Sequence, residues 1–306
     1  MHISLTGRLG SGKSTIAHVL NSVFGFQIYS TGAIHREIAL KRKVSTLEMN
    51  QLMSQDLSYD HAIDDAVTKI SVDRKNETIV FDSRMAWKFA VNSFKVFITV
   101  DPLVAATRVM TDSRGEEEVY TNVEEAKSKL IERGKLENER FKAIYGVDYL
   151  DYLNYNLVID STYAPPDEIA AIIYERYRDY CISGGEACNI MMSPTSLYPL
   201  ARISDIDVGT LNKYEESKEY LHNYSSIIVF NGYHFFVEGH YRVLAAIINK
   251  EEFINVELVN TEKYPFFKNE ENLISELQAT GISSVYEFEE IGKFRYKSYP
   301  SFYIQK

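Results

Sequence analysis

The sequence predicts an α/β protein of two domains, a parallel sheet covered by helices and then a smaller α+β domain. Three observations carry this. Short β-rich runs alternate with stretches of helical period over the first 180 residues, the signature of parallel strands buried on both faces. A small and polar break, CISGGEACN at 181–189, then interrupts the pattern. Beyond it the order changes to two apolar strands around Asn231-Gly232, a helix and another strand. The expected boundaries are 1–180 for the first domain, 181–192 for a linker and 193–306 for the second, whose end is an irregular tail. A chain of 306 residues accommodates two such domains.

Residues 2–6 (HISLT) form a β-rich run, followed by a glycine loop and by 15–24, where Ile16, Val19, Leu20 and Val23 recur at helical spacing. Residues 26–29, 78–81, 96–100 and 157–160 read as further buried strands, and 170–180 as a closing helix. In the second domain, 226–230 and 233–237 are the hairpin strands, 242–249 (RVLAAIIN) an apolar helix and 254–259 (INVELV) an alternating strand. A helix around 271–278 precedes the Tyr- and Phe-rich ending.

Composition narrows the function classes. Apolar residues are 45% and charged residues 25%, which fits neither a disordered nor a fibrous chain. The net charge of −10, with an acidic surplus in both halves, argues against nonspecific nucleic-acid or anionic-membrane partners. Cys181 and Cys188 lack metal-ligand or disulfide-framework spacing. No apolar run approaches a membrane span, so a soluble protein in a reducing cytoplasm is the expectation.

Gly7-Arg8-Leu9-Gly10-Ser11-Gly12-Lys13-Ser14 matches GxxxxGK[ST], between a strand and a helix as that motif requires. Gly7, Gly10, Ser11, Gly12, Ser14 and Thr15 would turn backbone N–H groups and a helix N-terminus toward phosphates. Lys13 would reach the β and γ phosphates of ATP, and Ser14 would offer a hydroxyl to Mg²⁺. The first domain is therefore a P-loop NTPase-type sheet.

Other segments resemble the nucleoside monophosphate kinases, and most closely the short-lid cytidylate kinases. Ser30-Thr31-Gly32, Ile34 and Arg36-Glu37-Ile38-Ala39 resemble the family's SxGxIFREMA segment, and Asp82-Ser83-Arg84 resembles its [DE]GR. RGKLENERFK (133–142) followed by Tyr145-Gly146-Val147-Asp148 resembles its lid and YGID segment. The resemblance implies that Ser30, Gly32, Arg36 and Arg84 hold the acceptor's phosphate end, that Arg133 and Arg140 close over the phosphates, and that Asp82 lies near acceptor and Mg²⁺. Lys13, Asp82, Arg133 and Arg140 would be its catalytic set. Arginine suits the task because its planar fork grips phosphate in two places and keeps its charge. Arg133 and Arg140 could equally pair with Glu137 and Glu132 along the helix. The chain departs from the family at Leu136-Glu137-Asn138-Glu139, where acidic residues would oppose closure on phosphates, at Ile63-Asp64-Asp65-Ala66, which lacks the family's basic residues, and at Ser83, which replaces a glycine.

Glu238-Gly239-His240-Tyr241-Arg242 follows a strand and opens a helix, and with SPTSLYPLARI (193–203) it resembles the ParB/sulfiredoxin-like fold and its GxxR phosphate turn. That resemblance implies a second phosphate site at Glu238, Gly239, His240 and Arg242. The leading expectation is an Mg²⁺-ATP-dependent kinase acting on CMP, dCMP or another small phosphate acceptor. Two alternatives stay open: a nucleotide-switched regulatory protein, and a serine-type kinase in the second domain.

Overall fold

The computed structural model describes residues 1–32, 58–111, 120–185, 188–200, 206–218, 222–259, 264 and 269–303. The chain divides into two compact units, Met1–Val100 with Val104–Cys188, and Asn189–Lys306 with the short stretch Asp101–Leu103.

The first unit runs β1 (His2–Gly7), α1 (Lys13–Phe24), β2 (Gln27–Ser30), α2 (Ser58–Asp73), β3 (Ile79–Asp82), α3 (Ala86–Phe89), β4 (Ser93–Thr99), α4 (Pro102–Thr111), α5 (Val123–Tyr145), β5 (Leu157–Asp160) and α6 (Pro166–Ser183). Its strands lie in the order β2-β3-β1-β4-β5, all parallel. Ile3 and Leu5 on β1, Val80 and Phe81 on β3, and Val96, Phe97 and Ile98 on β4 are wholly buried, because the inner strands of a parallel sheet are covered on both faces. β4 begins three residues before the apolar run that announced it: Ser93 and Lys95 pair with His2 and Ser4 of β1 through backbone bonds that place no demand on side-chain polarity. The closing helix is longer than expected, running from a proline-marked start to Gly184 in left-handed conformation.

The second unit contains β6 (Asn189–Met192), β7 (Leu197–Pro199), α7 (Val208–Ser217), β8 (Ser225–Phe230), β9 (Tyr233–Phe236), α8 (His240–Ile248), β10 (Ile254–Leu258) and α9 (Glu270–Gly292). Regular structure thus occupies both ends of the segment expected as linker. Its strands are ordered β6-β10-β8-β9-β7, with β8 and β9 antiparallel and β8 and β10 parallel. The Asn231-Gly232 hairpin forms as read, with both residues at positive φ, 49° and 88°.

The tail differs from its expectation. The helix continues to Gly292 across a break at Gly281 (φ 72, ψ 155), a residue whose backbone freedom hides the continuation from a periodicity count. Val285 and Phe288 beyond the break are wholly buried. The Tyr-rich ending is pinned to core carbonyls: Tyr296 Oη donates to Leu197 O at 2.6 Å and Tyr303 Oη to Pro199 O at 2.5 Å. No helix among the described residues is long and apolar enough to cross a membrane.

Candidate active site

Strand β1 ends in the glycine loop. Arg8 N donates to Ile98 O at 2.9 Å, which holds the start of the loop against β4. A Cβ on Gly7 would stand 2.5 Å from Ile98 O, and one on Gly10, whose φ is +73°, would stand 2.7 Å from Ala105 O. Both positions therefore require glycine for close approach. Gly12 (φ 80°) caps α1, so the helix N-terminus follows directly on the loop. Ser11 is buried and its hydroxyl has no hydrogen-bond partner, while its carbonyl accepts from Ser161 Oγ at 3.0 Å. Thr15 is exposed on the first turn of α1.

Asp82, at the carboxyl end of β3, is the hub beside this loop. Its carboxylate lies 3.5 Å from Lys13 Nζ and accepts from Ser14 Oγ at 2.9 Å and from Ser30 Oγ at 3.4 Å. Burial pushes the Lys13 ammonium down to about 8, with the neighbouring Arg84 charge acting in the same direction and Asp82 opposing it. Burial alone would raise the Asp82 carboxyl, but Lys13 and Ser14 outweigh it and hold the group below its ordinary range. Thr31 Oγ1 adds a contact to Asp82 O at 3.5 Å, and Gly32 follows half-buried. Arg36 lies outside the described residues.

Helix α5 faces the same region. Its start is fixed by Asn122, whose side chain accepts from Glu125 N, and its end by Gly146 in left-handed conformation. Arg84 donates from Nε to Glu137 at 3.1 Å and from Nη1 to Gly7 O, and Arg133 Nε reaches the same Glu137 carboxylate at 3.2 Å. Burial would raise the Glu137 carboxyl, yet Arg84 and Arg133 together hold it below its usual range. The i,i+4 pairing of Arg133 with Glu137 forms as read; Arg140 instead pairs across elements with Asp60 of α2 at 3.5 Å. Beside it, the hydroxyl of Tyr145 donates to Asp64, whose carboxyl burial pushes up to about 6.

The arrangement thus brings Lys13, Ser14, Ser30, Asp82 and Arg84 together at the strand ends and ties Arg84 and Arg133 through one carboxylate. Glu137 was legible as a charge opposing closure and, by its i+4 offset, as a partner of Arg133; its contact with Arg84 was not. The partnership of Arg140 with Asp60 spans 80 positions of chain and leaves no local pattern.

In the second unit, Gly239 (φ +95°) caps α8, and a Cβ there would lie 2.4 Å from Ser225 Oγ and 3.3 Å from Arg242 Nε. Arg242 donates to the Tyr224 carbonyl, and Glu238 accepts from the Tyr264 hydroxyl. Burial lowers the His240 imidazole, and Arg242 adds to the effect. The buried Ser225 hydroxyl has no hydrogen-bond partner.

A parallel sheet whose first strand feeds a glycine loop into a helix, with lysine, hydroxyl and strand-end carboxylate converging, defines a P-loop nucleotide-binding domain. The cytidylate kinase-like family model matches residues 2–163, and the chain belongs to that family. It is similar to the cytidylate kinase of Thermoplasma acidophilum, 28% identical over 180 residues, which cover 58% of this chain and 92% of the relative. The cytidylate kinase of Sulfurisphaera tokodaii is 31% identical over 185 residues, covering 60% of this chain and 98% of the relative. Among solved structures, shikimate kinase from Aquifex aeolicus aligns over 60% of this chain and 100% of its own, with 20% identity and a TM-score of 0.39. By its family the first unit is a kinase-like domain of the P-loop class.

Proposed function

We propose that the first unit transfers the γ-phosphoryl group of Mg²⁺-ATP to a nucleoside monophosphate, with CMP or dCMP as the leading acceptors. The observation that carries this is the convergence of Lys13, Ser14, Asp82 and Arg84 at the ends of adjacent parallel strands. Phosphoryl transfer needs positive charge around the moving group and an oriented acceptor rather than a covalent intermediate. Lys13 supplies charge at the donor's terminal phosphates, and Arg84 supplies it on the acceptor side. The Ser14 hydroxyl and Asp82 carboxylate, 2.9 Å apart, are hard oxygen donors of the kind Mg²⁺ takes while keeping several waters. These two residues would hold the ion, which would supply positive charge to the phosphates. Arg133 and Arg140 on α5 would complete the enclosure, and Ser30, Gly32 and Arg36 the acceptor's seat.

An ADP-release assay with ATP and a panel of monophosphates tests this reading. Acceptor-dependent turnover with CMP or dCMP that disappears in Lys13→Ala is the expected result. ATP binding with no acceptor-dependent ADP across the panel would instead leave the regulatory reading, which the engagement of both Arg84 and Arg133 by Glu137 favours.

For the second unit we propose an anion site at the start of α8. It is supported by the left-handed Gly239, the Arg242 guanidinium beside it, and the unpartnered Ser225 hydroxyl. Glu238 and His240 flank this turn and would choose among phosphate-bearing ligands, a phosphorylated nucleotide or a small hydroxyl acceptor of serine type. Calorimetry of the full chain with a Gly239→Ala variant would separate this site from the first.

A further inference from the structure

We propose that Glu137 is a resident anion of the acceptor seat, and that an acceptor's phosphate binds by exchanging with it on Arg84. The inference rests on the kinase reading above and adds the means by which the site selects its acceptor. Arg84 has two contacts besides its packing: Nε to Glu137 at 3.1 Å and Nη1 to the Gly7 carbonyl. A guanidinium grips phosphate through two parallel N–H groups, and each two-pronged face of the fork shares a nitrogen with one of these contacts. Nε carries a single hydrogen, so a phosphate gripped through Nε and the neighbouring Nη2 displaces Glu137, whereas Nη1 keeps a second hydrogen besides the one given to Gly7.

The two are not equally able to yield. Gly7 is wedged against β4, with Ile98 O only 2.5 Å from where its Cβ would be, and it belongs to the loop that must keep its shape for ATP. Glu137 hangs on three rotatable bonds from α5 and has a second cation, Arg133 at 3.2 Å, to keep its charge paired after leaving Arg84. Glu137 is the contact that goes. An incoming phosphate carries up to two negative charges against one on the carboxylate, so it wins the exchange, whereas a singly charged or neutral competitor gains little over what Arg84 already has.

The exchange makes Glu137 a selectivity residue that acts through Arg84. It lowers the affinity of every acceptor by the same displacement cost, which leaves weak anions with little net binding, so removing its charge should tighten acceptor binding rather than loosen it. The test is calorimetry on the full chain, wild type against Glu137→Gln, with CMP, inorganic phosphate and ATP as separate titrants. Glu139→Gln, on an exposed position of the same helix, controls for net charge. The exchange predicts CMP and inorganic phosphate binding tighter by roughly tenfold in Glu137→Gln, about 1.4 kcal/mol, with a smaller gain for ATP and less than about twofold change in Glu139→Gln.

Unchanged or weaker CMP and phosphate binding in Glu137→Gln overturns the exchange, as does an equal gain for ATP, which would report only added positive charge. If CMP binds neither protein while inorganic phosphate gains affinity, the exchange stands and the nucleotide acceptor falls. If CMP binds both proteins with one Kd, the acceptor stands and the exchange falls. Should Glu137→Gln fail to fold, Glu137→Asp keeps the charge but cannot span both arginines; an intermediate gain supports the exchange and none overturns it.

Discussion

Raising the pH from 7 to 9 should weaken ATP binding about tenfold, and the cause should be a single side chain. Lys13 is held at about 8 by burial and by the charge of Arg84, against an ordinary 10.5. At pH 8 it is therefore about half protonated and at pH 7 about nine-tenths. ATP brings negative charge to the ammonium and restores its proton, so binding at pH 8 should take up about 0.5 proton per site, falling to ~0.1 at pH 7. Isothermal calorimetry in buffers of different ionisation enthalpy reads that number directly. The same shift is a stability statement with a definite sign. The folded pKa lies below the unfolded one, so between about 8 and 10.5 the unfolded chain binds more protons and stability rises with pH. The Lys13 side chain is only 15% exposed, and a shift of this size corresponds to about 3 kcal/mol at the top of the window. Lys13→Met should abolish both the proton uptake and this part of the pH dependence. Uptake near zero at pH 8 in the wild type, or uptake that survives Lys13→Met, would refute the assignment.

Two further perturbations follow from the packing. Gly7→Ala forces the central strands apart at Ile98 O and should cost about 2 kcal/mol or more in urea unfolding, with ATP affinity falling in parallel. Asp64 is raised to about 6 by burial, so the stability contributed by its neutral form is complete below 3.8 and lost as pH rises through 6. Asp64→Asn should thus be more stable than wild type by about 1 to 3 kcal/mol at pH 8 and indistinguishable from it at pH 4.

What the sequence made legible, and what it did not, divides by range. The glycine loop, the Asn231-Gly232 hairpin and the strand at Leu157–Asp160 are local patterns whose backbone requirements are written in neighbouring residues. The joining of Ser14 and Ser30 to Asp82 follows from topology: parallel strands carry their carboxyl ends to one edge, so residues far apart in sequence meet there. The pairings of two of the site's arginines were hidden. Arg140 finds Asp60 and Arg84 finds Glu137 across different elements, and nothing in either segment names the partner. The second half of α9 was missed because Gly281 breaks the helical period that would have shown it.

The apparent conflict in α5 resolves once charges are counted by contact rather than by sequence. Read along the chain, Glu137 between Arg133 and Arg140 looks like a fault in an arginine lid. In space it balances Arg84 and Arg133, two guanidiniums that would otherwise repel each other and the half-buried Lys13. Largely burying Lys13 and Arg84 beside a third cation, Arg133, without a counter-ion is costly at the reduced dielectric of a cleft. Asp82 and Glu137 supply the counter-charge, one to Lys13 and one to Arg84 and Arg133. Asp82 is locked by Lys13, Ser14 and Ser30, while Glu137 is a side chain on a helix with an alternative partner. That asymmetry makes the Arg84–Glu137 contact the adjustable part of the site.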